Sequence, residues 1–195
     1  MVLKAIHRLP FLARFYQRYG QKWAQKKISL FEGYLKEKER ILDLGCGNCV
    51  ISDQLLSKGY QVTPMDIKDL SIVNSVNPLV YDGHLLPFEE KKFDTVLLLT
   101  VLHHSQQPII NLEESKRIGK QIILLEDTYS NRLQKFTTQS MDTLVNFGHS
   151  PMTFQNRSEK EWEEIFAQLK LKIIGKKRLR TLFFFRQTLY LLQTD

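Results

Sequence analysis

The hydrophobic positions along the chain change their period near residue 40. Before that point, Pro10 suits the first turn of a helix because its missing N–H needs no partner there. Gly20 is a candidate break, so we expect the first forty residues to form helix in two pieces. The aromatic and aliphatic residues that follow helical spacing are Leu12, Phe15, Tyr16, Tyr19 and Trp23.

After residue 40, short apolar runs alternate with helical stretches. The runs predict strands at 41–44, 60–65, 79–81, 93–100 and 121–125. Between them, the spacing predicts helices at 50–57 and 109–117. Such alternation is typical of βαβ units, which build a mostly parallel sheet with right-handed crossovers.

The C-terminal part follows a different pattern. One apolar stripe predicts a helix over 131–147, and a polar loop follows over 148–157. Ser158 and Glu161 have the spacing of a capping box, so another helix should begin there. Residues 171–180 and 183–193 should form a closing antiparallel pair. We therefore predict an α/β fold: a Rossmann-like, seven-stranded, mostly parallel sheet with helices on both faces and an antiparallel C-terminal hairpin. It would occupy one domain, 40–195, after a basic helical N-terminal extension, 1–39.

The net charge of +7 belongs to the beginning of the chain. Residues 1–40 carry ten Lys and Arg against three Glu, which is +7, and the other 155 residues balance at eighteen of each sign. A second basic cluster lies within 170–180. Both clusters could attract the phosphates of nucleic acid or lipid, or could simply be solvated. The N-terminal helix, amphipathic and basic, could contact a membrane peripherally or cover the core as a lid.

Hydrophobic content of 43% and charged content of 25% are ordinary for a soluble protein. No apolar run approaches the roughly 20 residues that cross a bilayer. Cys46 and Cys49 lie in one turn, so no long-range disulfide framework is expected, and a cytoplasmic protein is the simplest interpretation. Two cysteines without histidines at ligand spacing argue against a metal site; a redox role stays open.

The first predicted strand ends in a glycine turn, Ile41-Leu42-Asp43-Leu44-Gly45-Cys46-Gly47. A strand, a tight glycine turn and a helix form a nucleotide-binding device, because glycine permits close approach of the ligand. The dinucleotide fingerprint would need a third glycine at Val50, so that cofactor class is disfavoured. Asp66 ends the second strand, where a carboxylate can accept both ribose hydroxyls.

Over residues 40–127, the sequence resembles the class I S-adenosylmethionine-dependent methyltransferases, in particular the group called methyltransferase type 11. The motifs that carry the resemblance occur in the family's order: Asp43-x-Gly45-x-Gly47, Asp66, Asp82-Gly83, Leu86-Pro87-Phe88, Phe93-Asp94-Thr95-Val96 and Val101-Leu102-His103-His104. Two departures are Cys49, where the family often has a third glycine, and Gly119-Lys120, where it usually has Lys-Pro-Gly-Gly.

The resemblance implies S-adenosylmethionine as cofactor, with S-adenosylhomocysteine as product. It implies that Asp43 and the glycine backbone face the methionine end, that Asp66 holds the ribose, and that Asp82 and the Gly83 amide address the adenine. The full set of expected cofactor-binding residues is Asp43, Gly45, Cys46, Gly47, Asp66, Ile67, Asp82, Gly83 and Thr100.

The cofactor motifs say little about the acceptor. Glu126 and Asp127 end the fifth predicted strand, where open α/β folds place ligands, so they are candidate acid/base residues. Alternatively, one carboxylate caps the next helix while the other is solvated. His104 is a further catalytic candidate, although such a histidine more often forms a pocket wall. Because insertions after the fifth strand often shape the substrate pocket in this family, the candidate substrate residues are Tyr129, Asp142, Asn146 and His149.

We therefore predict an enzyme that methylates a small acceptor, which could be lipophilic. The Asn/Asp-Pro-Pro-Tyr signature of adenine N-methylation is absent after strand four, where the chain reads Leu99-Thr100-Val101-Leu102. An RNA methyltransferase that uses the basic clusters is a less favoured alternative. A sensor or partner subunit that binds the cofactor without transferase activity is another.

Overall fold

A single mixed sheet of eight strands organises the part of the chain that the computed structural model describes: residues 10–131, 134–136, 155–181 and 185–194. At 10–18, 181 and 185 the backbone alone is described. The strands are β1 (Arg40–Leu44), β2 (Gln61–Asp66), β3 (Leu79–Val80), β4 (Phe93–Leu99), β5 (Gly119–Tyr129), β6 (Arg157–Ser158), β7 (Lys172–Thr181) and β8 (Phe185–Gln193).

The order of the strands is β3-β2-β1-β4-β5-β8-β7, and the two-residue β6 pairs in parallel with the end of β5. Only β8, among these strands, runs against its neighbours; it is antiparallel to both β5 and β7. The predicted fold class is therefore confirmed, with β6 as an additional short strand.

Helices cover both faces of the sheet. They are α1 (Pro10–Ile28), α2 (Val50–Ser57), α3 (Pro108–Ile118) and α4 (Glu159–Gln168), and 3-10 turns occur at Glu32–Tyr34 and Leu102–His104. On one face, Ala24 and Ile28 of α1 pack with Leu55 of α2 in one apolar cluster. On the other face, a second cluster contains Leu112 of α3 and Trp162 of α4. Residues of β4 alternate between the two clusters, so this strand is buried on both sides.

Two predictions about these elements were wrong. Helix α1 continues through Gly20 without a break. There it packs on α2, and a Cβ on Gly20 would lie 3.9 Å from the Val50 side chain. The fifth strand extends through Tyr129 rather than ending at Glu126 and Asp127, because β8 pairs with it over 121–128. The predicted helix at 131–147 and loop at 148–157 lie largely outside the described residues.

The sheet order reverses between β1 and β4, since the chain goes outward to β3 and returns to β4 on the other side of β1. At such a switch point the loops after the two strands diverge and leave a crevice at their carboxyl ends. This edge holds the glycine turn. No helix among the described residues is long and apolar enough to span a bilayer.

Candidate active site at the carboxyl ends of the strands

The turn after β1 is held against β2 by its backbone. The amides of Gly45 and Cys46 both donate to the Met65 carbonyl, at 2.7 and 3.1 Å. Gly45 has a φ of 76°, and a Cβ there would lie 2.5 Å from the Val101 side chain. Gly47 has a φ of 53°, but nothing lies within 4 Å of its hypothetical Cβ. The turn therefore touches the loop after β4 at one glycine and borders open space at the other.

Asp66 is the acidic side chain beside this open space. One of its carboxylate oxygens accepts from the Gly47 amide at 2.8 Å, and the other accepts from the Ile67 amide at 2.7 Å. Each oxygen keeps further acceptor capacity, since an ionised carboxylate has about four lone-pair positions. Its position at the end of β2 and at the border of the crevice suits a vicinal diol.

Asp43 has a different environment from Asp66. It is 3% exposed, and the Ser52 hydroxyl of α2 donates to its Oδ2 at 2.5 Å. Burial raises the pKa of Asp43 to about 6, against the opposing effect of the Ser52 hydrogen bond. This carboxylate thus ties β1 to α2 beneath the turn, in addition to any contact with a ligand.

The loop after β3 meets the end of β2. Asp82 is exposed and accepts from the His84 amide at 2.9 Å. Gly83 has a φ of 87°, and a Cβ there would approach the Ile67 side chain to 3.4 Å. Ile67 itself is 45% exposed. An exposed aliphatic surface next to a carboxylate and a glycine amide suits a planar heterocycle.

The loop after β4 is fixed by a buried acid. Glu126 is fully buried; its Oε1 accepts from the amides of Val101 and Leu102 at 2.9 and 2.7 Å, and its Oε2 lies 2.6 Å from Nδ1 of His103. Because Glu126 is fully buried and both of its oxygens contact the loop after β4, this residue positions that loop. The expectation of a base at the end of a strand does not fit Glu126.

Asp127 fits the role of a base better than Glu126 does. It is half-buried on the α1 side of the sheet, and the Gln187 amide donates to its Oδ1 at 2.9 Å. Burial raises the pKa of Asp127, while the nearby His103 and the Gln187 hydrogen bond lower it. A carboxylate of this kind is a stronger base than an exposed one.

The structure describes only some of the other predicted site residues. His104 is half-buried, with its ring centroid 4.0 Å from that of His103. The hydroxyl of Tyr129 donates to Glu161 at 2.8 Å, so this side chain links β5 to α4. Burial raises the pKa of Tyr129 to about 12. Asp142, Asn146 and His149 lie outside the described residues.

Thr100 and Lys27 meet at the end of β4. Thr100 adopts a φ of 62°, and its amide donates to the Leu125 carbonyl at 2.7 Å. The Lys27 ammonium, on α1, donates to the Thr100 hydroxyl at 3.1 Å. Sequence reasoning missed Lys27 because it was counted among the solvated basic residues. One weak sequence signal existed: Lys27 lies three residues after the apolar Ala24, on the same side of the helix.

The two thiols of Cys46 and Cys49 are buried, with their sulfur atoms 3.5 Å apart. Cys49 caps α2 with a φ of 63°. The described part of the chain has no group of three or more His, Cys, Asp or Glu that could hold a metal ion. A polar cleft of about 490 Å³ lies among Lys36, Glu39 and Lys120, at the amino edge of the sheet, away from this site.

The sequence is similar to those of known methyltransferases. Residues 42–122 match a family model described as a methyltransferase domain. Over 66 residues, the chain is 36% identical to the eEF1A lysine and N-terminal methyltransferase of Mus musculus. That match covers 30% of this chain and 10% of the mouse protein's length.

Solved structures extend the likeness to most of the described fold. A SAM-dependent methyltransferase from Methanosarcina mazei has a TM-score of 0.63 at 21% identity, over 85% of this chain and 96% of that one. The magnesium protoporphyrin IX methyltransferase of Synechocystis PCC 6803, with bound SAH, has a TM-score of 0.63 at 18% identity, over 90% and 84% of the two chains. These structures share the fold of the present chain.

Proposed function

We propose that this chain is a class I S-adenosylmethionine-dependent methyltransferase that transfers the cofactor's methyl group to a small, lipophilic acceptor. The observation that carries this proposal is the crevice between the loops after β1 and β4. The glycine turn and Asp66 border it on the β1 side, and Thr100 begins the loop on the β4 side. Asp127 follows on the next strand.

The residues on the β1 side fit the cofactor. Open space beside Gly47 leaves room for the ligand, and Asp66 is already oriented by two amides to accept the ribose hydroxyls. Ile67 and Gly83 offer an apolar surface and a backbone amide for the adenine. When bound, S-adenosylmethionine supplies an electrophilic methyl group on a sulfonium.

The protein's contribution to such a transfer is alignment, exclusion of water and, where the acceptor must lose a proton, a base. We assign the last role to Asp127, whose carboxylate would take the acceptor's proton as the new bond to the methyl group forms. Its raised pKa favours this, and Gln187 fixes its orientation. His104 is the second candidate, at the end of the 3-10 turn that Glu126 holds.

The lipophilic character of the acceptor is supported by exposed apolar side chains on segments next to the crevice. Trp23 on α1, Leu85 after β3 and Phe136 after β5 are all exposed, at 46, 72 and 68%. An apolar patch on the surface of a soluble domain often marks a binding site. One structural neighbour is named for a porphyrin substrate, which is consistent with an apolar acceptor.

The basic cluster on β7 gives less support to an RNA acceptor. Lys176 contacts Glu159 and Glu163, and Arg178 donates to Glu159 at 2.9 Å, so part of its charge is balanced. β7 is also the last strand of the sheet, three strands beyond β4. A steeply salt-dependent affinity for RNA would favour the RNA hypothesis instead.

Cofactor binding is tested by calorimetry with S-adenosylhomocysteine. We expect binding by the wild type, with a loss of about 1–3 kcal/mol for Asp66→Ala, because a charge-assisted hydrogen bond is removed. Glu113→Gln, an exposed carboxylate on α3, is the matched control and should bind as the wild type does. Absence of binding, or tighter binding of NAD, would refute the assignment.

Turnover is tested by S-adenosylhomocysteine release with a panel of lipophilic phenols, amines and carboxylic acids. Asp127→Asn should lose turnover while its cofactor affinity stays nearly unchanged. Glu126→Gln should instead lower the free energy of unfolding, since it disturbs three contacts of the loop. Cofactor binding without turnover on any acceptor class would favour a sensor or partner subunit.

A further inference from the structure

Asn156, the residue before β6, is a buried asparagine whose side chain is unpartnered. It is 4% exposed, and neither its Oδ1 nor its Nδ2 has a hydrogen-bond partner among the described residues. An asparagine amide has two donors and one acceptor, so burying it unpartnered destabilises the folded protein. Native proteins keep few such groups, and a role in binding or catalysis is one reason for keeping one. This amide therefore has unused capacity to bind a ligand.

The pairing of β6 places Asn156 beyond the end of β4. β4 pairs with β5 as far as Leu125, and β6 pairs with β5 from Thr128 onward. Because β8 also pairs with Thr128, β6 must lie on the opposite edge of β5, which is the edge that β4 occupies. The residue before β6 is thus the neighbour of Asp127, at the carboxyl edge where β4 has left the sheet.

The side chain of Asn156 lies on the same face of the sheet as that of Asp127. Arg157 stacks on the Trp162 ring of α4, with its guanidinium carbon 5.0 Å from the ring centroid, so the preceding side chain lies on the α1 side. On β5, Leu125 belongs to the apolar cluster of the α1 face, and Asp127 follows two residues later on the same side. Since neighbouring strands are about 4.8 Å apart, the amide and the carboxylate can reach the same group of a ligand.

We propose that Asn156 binds the reacting hydroxyl of the acceptor beside Asp127, which makes lipophilic phenols the substrate class of this enzyme. This inference rests on the proposed function. A hydroxyl has one proton to donate and two lone pairs. A carboxylate next to an amide donor matches this group, because one side chain accepts the proton and the other donates to the oxygen.

The two side chains have separate roles in the transfer. The hydroxyl proton is donated to Asp127, one lone pair accepts from Nδ2 of Asn156, and the other lone pair attacks the methyl carbon. As the oxygen–carbon bond forms, the carbon–sulfur bond breaks with its electron pair remaining on sulfur, and the proton passes to Asp127. The fixed amide donor also stabilises the negative charge that develops on the oxygen as its proton leaves.

The first measurement is thermal unfolding of the free protein, which needs no substrate. Asn156→Leu keeps a branched side chain and removes the unpartnered amide, so Tm should rise by about 2–4 °C. Asn111→Leu is the control for a buried asparagine with a partner. Asn111 is 6% exposed and its Nδ2 donates to Ser105 Oγ at 2.9 Å, so this substitution should lower Tm. Asn156→Ala, which adds no volume, covers the case in which leucine is too large.

The second measurement is S-adenosylhomocysteine release with 4-butylphenol and 4-butylaniline as acceptors. Both Asn156 variants should lose about 10- to 100-fold in kcat/KM for 4-butylphenol, as expected for one hydrogen bond to the reacting group. Their affinity for S-adenosylhomocysteine, measured by calorimetry, should stay within about twofold of the wild type. Asn74→Leu, at an exposed asparagine between β2 and β3, is the control for turnover and should match the wild type.

A fall in Tm in both Asn156 variants, as large as that of Asn111→Leu, would overturn the proposal because the amide would then have a structural role. Unchanged turnover of 4-butylphenol in these variants would overturn it too, as would wild-type turnover of 4-butylaniline alone. Absence of wild-type turnover on every acceptor class would instead refute the proposed function, while a raised Tm in Asn156→Leu would still assign the amide to a ligand site.

Discussion

Asp43 is a single residue of the site whose ionisation lowers the stability of the folded protein. Its pKa in the folded protein, about 6, lies above the ordinary 3.8 because burial disfavours the charge. A raised carboxyl pKa contributes stability that is complete below about pH 4 and is lost as the pH rises through 6. At pH 7 and above, the ionised side chain therefore destabilises the fold.

Asp43→Asn should remove this penalty, because the amide oxygen can still accept from Ser52 and cannot ionise. We expect the free energy of unfolding to rise by about 1–3 kcal/mol at pH 8, with the gain shrinking towards pH 4. Urea denaturation between pH 4 and 8 measures it, with Glu113→Gln as the exposed control. A variant less stable than the wild type at every pH would show that the charge is stabilising.

Individual residues also mark where sequence reasoning succeeds and where it stops. Cys49 replaces a glycine that the family often has, yet its φ is 63°, in the left-handed region that favours glycine. The backbone at this position therefore has the conformation that glycine favours, despite the substitution. Lys27 was missed because a lysine on an amphipathic helix is normally solvated, and its burial follows from the way α1 packs on the domain beside Thr100.

Among the elements, those governed by local signals were predicted best. Helix α2 occupies the predicted 50–57, and β1 differs by one residue. The length of β5 could not be predicted, because Glu126 and Asp127 interrupt its apolar run and only pairing with β8 keeps them in the strand. The same limit applies to the site: Asp66 does end β2, whereas Asp127 was selected from a strand end that the structure does not have, and the contacts that distinguish Glu126 from Asp127 come from other elements.

The start of α4 is also determined by a local sequence signal. The Glu161 amide donates to Ser158 Oγ at 3.3 Å, and the Ser158 amide donates to Glu161 Oε2 at 2.7 Å, which confirms the predicted capping box. Since Tyr129 of β5 donates to the same carboxylate, the cap also links α4 to the sheet beside Asp127.

Ser158→Ala should lower the free energy of unfolding by about 1 kcal/mol, because one helix-end amide loses its acceptor. Ser158→Asp, which keeps an acceptor at the cap, should retain most of the stability. Lys160→Ala, on the exposed side of the same first turn, is the control. Chemical denaturation of the three variants decides the matter: equal stability of Ser158→Ala and the wild type would mean that the cap contributes nothing.

For the whole molecule, the open question is what the basic N-terminal helix contacts. Its described inner face packs on the domain, with Ala24, Lys27 and Ile28 buried. Its described outer face exposes Tyr19 and Trp23, at 69 and 46%, together with Lys22 and Lys26. The buried half therefore supports a lid, while the exposed half has the residue types of an interfacial helix.

We expect the lid to be the main role, so the protein should stay in the supernatant when sedimented with anionic vesicles at about 0.15 M salt. The physical reason is that the inner face of α1 already packs against α2 and contacts Thr100. Among the described side chains of α1, the exposed aromatic and basic ones are two aromatic residues and two lysines, and each lysine contributes about 1 kcal/mol near an anionic surface. Vesicles of neutral lipid are the matched control. Sedimentation with anionic vesicles alone, abolished in the combined variant Tyr19→Ser, Lys22→Gln and Lys26→Gln, would instead establish α1 as a peripheral membrane anchor.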